Sequence, residues 1–153
     1  LRDDRLDVAM RMGATDVINP KSCDPVEAVK RVTEDEFADV VIEAVGSPTT
    51  VQEAFKYVKK GGRIVIFGVS PKDSSLAFSP FDALFRELEV VGAYSFTTDD
   101  FLRSIRLISK NKVDLDTIIT EVYPLERLKE AIIKAERGEG LKKLISVNKD
   151  LTP

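Results

Sequence analysis

The sequence predicts an α/β fold built on a doubly wound parallel sheet. Apolar, β-branched runs alternate along the chain with segments of helical period. The runs at residues 38–45 and 63–69 are almost continuously apolar, which is typical of strands covered on both faces. Short links between strand, helix and next strand favour right-handed crossovers and therefore parallel strands.

The first elements follow from period and capping residues. Residues 3–12 predict a helix that ends at Gly13, and residues 16–18 predict a short strand. Asp24 is expected to cap the next helix. Pro25 is expected at the first position of that helix, because the backbone amide there has no acceptor within the helix and proline lacks it without loss.

Glycine residues are expected to end the central elements. A strand at residues 38–45 is expected to end at Gly46, and residues 47–50 then open a helix. Gly61 and Gly62 are expected to stop that helix before the strand at residues 63–69.

The remaining elements continue the alternation of strands and helices up to residue 113, after which the pattern changes. Residues 70–80 predict a loop rich in serine and proline, residues 88–94 a strand, and Thr97 or Thr98 the cap of a helix. After residue 113 three further elements are predicted: a strand at 117–123, a helix at 124–137 and a strand at 141–147.

Composition excludes several classes of function. The chain of 153 residues has a formal net charge of −3, so it lacks the basic field that holds nucleic acid. Its apolar runs of about eight residues are shorter than the ~20 that span a bilayer, and no membrane partner is expected. The charged residues 2–5 at the start of the sequence are not those of a signal peptide, and none is expected. The single cysteine, Cys23, cannot form an internal disulfide, which predicts a cytoplasmic location.

The chain contains no histidine, and this absence constrains its chemistry. A histidine general base is excluded. Zinc sites use imidazole and thiolate ligands, so zinc held by this chain's own residues is not expected.

The predicted sheet places candidate ligand contacts at its carboxyl edge. Ligands of open parallel sheets bind outside the carboxyl ends of the strands. These ends carry Val45-Gly46, Gly68-Val69 and Gly92-Ala93-Tyr94, and glycine allows a ligand to approach the backbone closely. Ordinary turn glycines explain the same pattern, and no Gly-x-Gly-x-x-Gly motif is present to decide between the two interpretations.

Several stretches, taken in order, resemble the medium-chain dehydrogenase/reductase family. Within that family the chain is most similar to zinc-dependent alcohol and polyol dehydrogenases of the sorbitol and threonine dehydrogenase type. The resemblance rests on residues 5–20, 38–46, 61–69, 85–92 and 138–143.

The resemblance implies a Rossmann-like sheet that is incomplete at its amino-terminal end. Residues 1–112 would form a partial nicotinamide-dinucleotide-binding domain without the first β–α unit and its phosphate turn. Residues 113–153 would return to a catalytic domain that precedes this chain in the family and carries the zinc ligands.

The resemblance also implies roles for individual residues. Arg5 would lie near the adenosine ribose and Lys142 near the pyrophosphate, with a solvated lysine at a strand edge as the alternative for Lys142. Arg2 would pair with the 2′-phosphate of NADP, or is simply a helix-start residue in an NAD enzyme. The other contacts implied are Val45 and Gly46 beside the adenosine, Gly68 and Val69 beside the nicotinamide ribose, and Ala93 and Tyr94 beside the carboxamide.

The function implied is oxidation of a small secondary alcohol or polyol by hydride transfer to NAD or NADP, assisted by zinc. The chain alone is then expected to be inactive and to bind cofactor weakly. A homo-oligomer joined through the sheet edge is also implied. A non-catalytic nucleotide-binding or oligomerisation module is the alternative.

Overall fold

The computed structural model describes residues 2–147, which fall into two compact units. One unit contains residue 2 and residues 18–96, and the other contains residues 3–17 and 97–147. The elements in chain order are α1 (Asp3–Arg11), α2 (Pro25–Val32), β1 (Ala38–Glu43), α3 (Pro48–Tyr57), β2 (Val58–Ile66), α4 (Pro80–Phe85), β3 (Glu89–Gly92), α5 (Thr98–Ser109), β4 (Ile119–Pro124), α6 (Leu128–Glu136) and β5 (Lys142–Ser146). The predicted domain boundary after residue 112 stays a prediction.

The first unit is built on a three-stranded sheet with the order β1-β2-β3. Both strand pairs are parallel. Helix α3 connects β1 to β2 and packs against both strands. The predicted α/β class with parallel, Rossmann-like topology is therefore confirmed.

Capping residues begin the helices close to their predicted positions. The Asp24 carboxylate accepts hydrogen bonds from the first backbone amides of α2. At α3, Ser47 and Thr50 exchange side-chain and backbone hydrogen bonds as a capping box. Thr97, and not Thr98, caps α5, and its partner in a second capping box is Asp100.

The core of the first unit lies between α3 and the sheet. Ala54, Val58 and Ile64 are buried, and Val41 and Leu88 pack against them. Full burial of an aliphatic side chain contributes about 1.5–3 kcal/mol each, so this cluster fixes the position of α3 on the sheet.

Gly61 and Gly62 do not stop α3, which corrects the sequence prediction. The helix ends at Tyr57, and both glycines lie inside β2. Val58 already has extended backbone (φ −87, ψ 139) because its side chain fills the core from the strand. The pairing with β1 shifts between Val58 and Arg63, so the glycines form a bulge, with Gly61 at φ +70.

The predicted strand at residues 16–18 is also wrong, because these residues form no strand. A strand exists only where a neighbour supplies hydrogen bonds, and neither sheet within residues 2–147 includes residues 16–18. The predicted loop at residues 70–80 leads into α4, a short helix that the sequence analysis did not predict.

The second unit contains the parallel pair β4–β5 and α6. The helix predicted at residues 124–137 is shorter, because a 3₁₀ turn at Leu125–Arg127 precedes α6. Glu121 accepts hydrogen bonds from Tyr123 and Lys134 and forms an ion pair with Lys143. These contacts join β4, α6 and β5. No helix among residues 2–147 is long and apolar enough to cross a membrane.

Candidate functional site at the carboxyl edge of the sheet

Three strands of the first unit end side by side. Glu43 of β1 is paired with Ile66 of β2, and Ile66 is paired with Gly92 of β3. The Ala93 amide donates a hydrogen bond to the Ile66 carbonyl at 2.9 Å, and the Gly68 amide donates to the Glu43 carbonyl at 2.8 Å. The residues that follow these strands are therefore neighbours at one edge, where parallel sheets bind ligands.

The turns after β1 and β2 pack backbone against backbone, and both glycines are required for this contact. Gly46 has a φ of +82, and a Cβ atom there would lie 2.4 Å from the Val69 carbonyl oxygen. A Cβ atom on Gly68 would lie 2.1 Å from the Gly46 nitrogen. Close contact between the two turns therefore requires glycine at both positions, which the sequence alone did not reveal.

The buried carboxylate of Glu43 lies beneath these turns. Glu43 is only 4% exposed. Its Oε1 atom accepts hydrogen bonds from the amides of Val45 and Gly46 and from the Thr50 hydroxyl, each at 2.8 Å. Its Oε2 atom is buried without a hydrogen-bond partner among the described residues.

The pKa of Glu43 is lowered despite this burial. Burial raises the pKa of a carboxyl group, but the hydrogen bonds from Thr50, Gly46 and Val45 lower it by more. Glu43 is therefore a carboxylate at neutral pH. No role for this residue was predicted from the sequence, although an acidic side chain within the otherwise apolar run 40–45 is a detectable signal.

The predicted contact residues at this edge present apolar side chains to solvent. Val45 is 73% exposed, Val69 is 85% exposed and Tyr94 is 94% exposed. Ala93 is also exposed. An exposed group of apolar side chains beside glycine turns is typical of a ligand-binding surface.

The three basic candidates lie elsewhere in the chain. Arg2 is exposed and directly precedes α1. The Arg5 guanidinium, within the second unit, donates hydrogen bonds to the carbonyls of Gly138 at 3.0 Å and Gly140 at 3.3 Å. Lys142 is exposed at the start of β5. Their proposed cofactor contacts stay predictions.

The described residues offer no metal site. Nowhere in residues 2–147 do three or more histidine, cysteine, aspartate or glutamate side chains come together in a way that could hold a metal ion. Cys23 is an exposed free thiol whose sulfur donates weakly to the Asn19 carbonyl at 3.6 Å.

Comparison with known proteins identifies the family. Residues 1–110 match the family described as zinc-binding dehydrogenase. The chain belongs to the zinc-binding dehydrogenase family. Sorbitol dehydrogenase of Bacillus subtilis (strain 168) is 30% identical over 147 residues, which are 95% of this chain and 41% of that protein. L-threonine 3-dehydrogenase of Caldanaerobacter subterraneus subsp. tengcongensis is 31% identical over 142 residues, which are 90% of this chain and 41% of that protein.

Solved structures of dehydrogenases share the fold. Alcohol dehydrogenase TADH from Thermus sp. ATN1 has a TM-score of 0.89 and 28% identity, and the match covers 96% of this chain and 42% of that one. A structure from Sinorhizobium meliloti 1021, determined with NADP bound, has a TM-score of 0.86 and 30% identity over 94% of this chain and 42% of that one. The chain therefore spans about two fifths of the length of the relatives it matches.

Proposed function

We propose that this chain is the cofactor-binding portion of a zinc-dependent NAD(P) dehydrogenase that oxidises a secondary alcohol or polyol. The observation that carries the proposal is the alignment of the turns after β1, β2 and β3 at one sheet edge. Membership of the zinc-binding dehydrogenase family and the NADP bound in a structural neighbour support it.

The residues at this edge fit a dinucleotide. The exposed side chains of Val45 and Val69 provide apolar contact area for rings, and the backbone of Ala93 and Tyr94 provides polar atoms for a carboxamide. A bound nicotinamide would accept the hydride removed from the alcohol carbon. The chain's own part is to orient that ring and to exclude water from its face.

Lys142 and Arg5 supply charge in this proposal. The ammonium group of Lys142 would contact the pyrophosphate, and Arg5 would lie near the adenosine ribose. Neither role is needed for the contacts that the sheet edge makes with the rings.

The chain's own donor set does not fit zinc. It has no histidine, and residues 2–147 bring no candidate ligands together. No step of the reaction is therefore assigned to a metal held by these residues. We accordingly expect the purified 153-residue chain to oxidise neither sorbitol nor threonine with NAD or NADP, and steady turnover by this chain alone would refute that expectation.

Cofactor choice is proposed to depend on Arg2. If Arg2 pairs with a 2′-phosphate, Arg2→Ala weakens NADP binding and leaves NAD binding unchanged. NAD is the favoured cofactor. Equal affinities of Arg2→Ala and wild type for NADP would refute a contact between Arg2 and the cofactor.

Titration of the isotope-labelled chain with NAD and with NADP, followed by amide shifts in NMR spectra, tests the proposal. Shifts confined to the turns after β1, β2 and β3 support cofactor binding at this edge. Binding of a nucleotide without a nicotinamide, such as AMP, with equal shifts at all three turns would favour the alternative of a general nucleotide-binding module. Absence of shifts at these turns with either dinucleotide would refute the proposal.

We further propose a cytoplasmic homo-oligomer that pairs through β3. Every residue of β3 is exposed, including Val90 and Val91, and the strand is an outer strand of its sheet. An exposed apolar edge readily adds another strand. Val91→Lys should lower the mass measured by light scattering to that of one chain, whereas an unchanged mass would reject this interface.

A further inference from the structure

We propose that Glu43 is a positioning residue: its carboxylate fixes the joined turns after β1 and β2 in the conformation that receives the nucleotide. This inference rests on the proposed function and deepens it by naming the group that shapes the site. Glu43 itself is buried beneath the turns and is not expected to touch the cofactor.

The carboxylate organises the first turn directly. One oxygen atom, Oε1, accepts hydrogen bonds from the amides of Val45 and Gly46 and from the hydroxyl of Thr50. Three donors pointing at one anionic atom leave the peptide groups of the turn a single orientation. Hydrogen bonds to an ionised acceptor are roughly twice as strong as those between neutral groups, so this orientation is firmly held.

Glu43 also reaches the second turn. Its backbone carbonyl accepts hydrogen bonds from the amides of Phe67 and Gly68, at 2.9 and 2.8 Å. A Cβ atom on Gly68 would lie 2.8 Å from Oε2, so the side chain closes the space beneath Gly68. One residue therefore holds both turns, and the contact between Gly46 and Gly68 makes them a single body.

The unpartnered Oε2 atom indicates that stability alone does not explain a carboxylate at the end of β1. A buried carboxylate oxygen without a hydrogen bond costs free energy, and an apolar residue of similar size would avoid this cost. Such a residue would leave the amides of Val45 and Gly46 without an acceptor. The carboxylate is thus explained by what the turns require and not by the stability of β1.

Glu43→Gln tests the proposal, with Glu121→Gln as the matched control. Both carboxylates lie on strands and accept several hydrogen bonds, but Glu121 lies in the second unit. Glutamine keeps the shape of Glu43, replaces the anionic acceptor by a neutral one and places an amide group against Gly68. Amide hydrogen exchange and dinucleotide titrations are measured on wild type and both variants, at a temperature well below all three melting points.

We expect Glu43→Gln to speed exchange of the Val45 and Gly46 amides about tenfold and to raise the dissociation constant for the bound dinucleotide about tenfold. Glu121→Gln should change both quantities less than twofold, even if its melting temperature falls equally. Unchanged exchange at Val45 and Gly46 in Glu43→Gln would overturn the positioning role. Faster exchange with an unchanged dissociation constant would overturn its link to the nucleotide.

Failure of the proposed function is a distinct outcome. If wild type binds neither NAD nor NADP at this edge, the proposed function fails. The claim that Glu43 shapes a nucleotide site is then overturned as well. The exchange rates then show separately whether Glu43 holds the turns. If Glu43→Gln does not fold, Thr50→Val and Thr50→Ser replace it: the valine removes one donor to Glu43 and should reproduce the loss, and the serine should restore wild-type values.

Discussion

Substitution of Gly68 by alanine should open the contact between the two glycine turns. The added Cβ atom would lie 2.1 Å from the Gly46 nitrogen and 2.7 Å from its Cα atom, whereas ordinary contacts begin at 3.4 Å. The neighbouring atoms are backbone and cannot rotate away, so the turns must separate by more than an ångström. Overpacking of this kind costs about 1–3 kcal/mol, and we expect Gly68→Ala to lie near 3 kcal/mol because backbone must move.

Gly92→Ala is the control for this measurement. Gly92 lies at the same sheet edge, its φ is not positive, and a Cβ atom there would meet nothing within 4 Å. Alanine is favoured over glycine inside a strand by about 0.5–1 kcal/mol, so this variant should be neutral or slightly more stable. Urea denaturation followed by circular dichroism, with exchange of the Ile64 amide as the probe of the sheet, gives both values. Equal stability of the two variants would refute the steric argument.

Three further outcomes are expected. Asp24→Ala should destabilise the chain by about 1 kcal/mol in urea denaturation, because the first amides of α2 lose their acceptor. Hydrogen bonds from Tyr123 and from neighbouring lysines lower the pKa of Glu121 to about 2 from an ordinary 4.5. Its stabilising contribution is therefore complete above pH 4.5 and lost as the pH falls towards 2, and urea midpoints of Glu121→Gln should lack this dependence. Arg86→Lys should cost about 1–2 kcal/mol in the same assay, because the guanidinium donates to two carbonyls, at the end of α3 and the start of β2, and an ammonium replaces it poorly.

Local rules predicted the elements whose signals lie within a few residues of one another. Asp24, Ser47 before α3, and the apolar run at 38–45 each specify a cap or a strand without reference to the rest of the chain, although the predicted cover on both faces of that strand is wrong, because Val40 and Ile42 are exposed. The glycines at the carboxyl edge were also recognised, and the structure brings those after β1 and β2 into contact.

The errors arose where distant contacts decide the outcome. Val58 continues the helical period of α3, but burial from the strand side gives it extended backbone, and Gly61 then serves a bulge. Residues 16–18 have a strand-like composition, yet pairing needs a neighbour that composition does not reveal. Glu43 is different, because its donors lie within seven residues along the chain, in the following turn and in α3, and a local signal for it was overlooked.

The two outer strands of the sheet have different consequences for assembly. Pairing of β3 with a second β3 about a twofold axis uses the same surface on both copies and therefore ends at two chains. Pairing of β1 with β3 of another copy uses two different surfaces, so each added chain exposes a fresh edge and growth has no natural end. Val40 and Ile42 on β1 are 50% and 64% exposed. If copies of this chain pair through these edges, the balance between the two edges would decide whether closed pairs or growing fibres form.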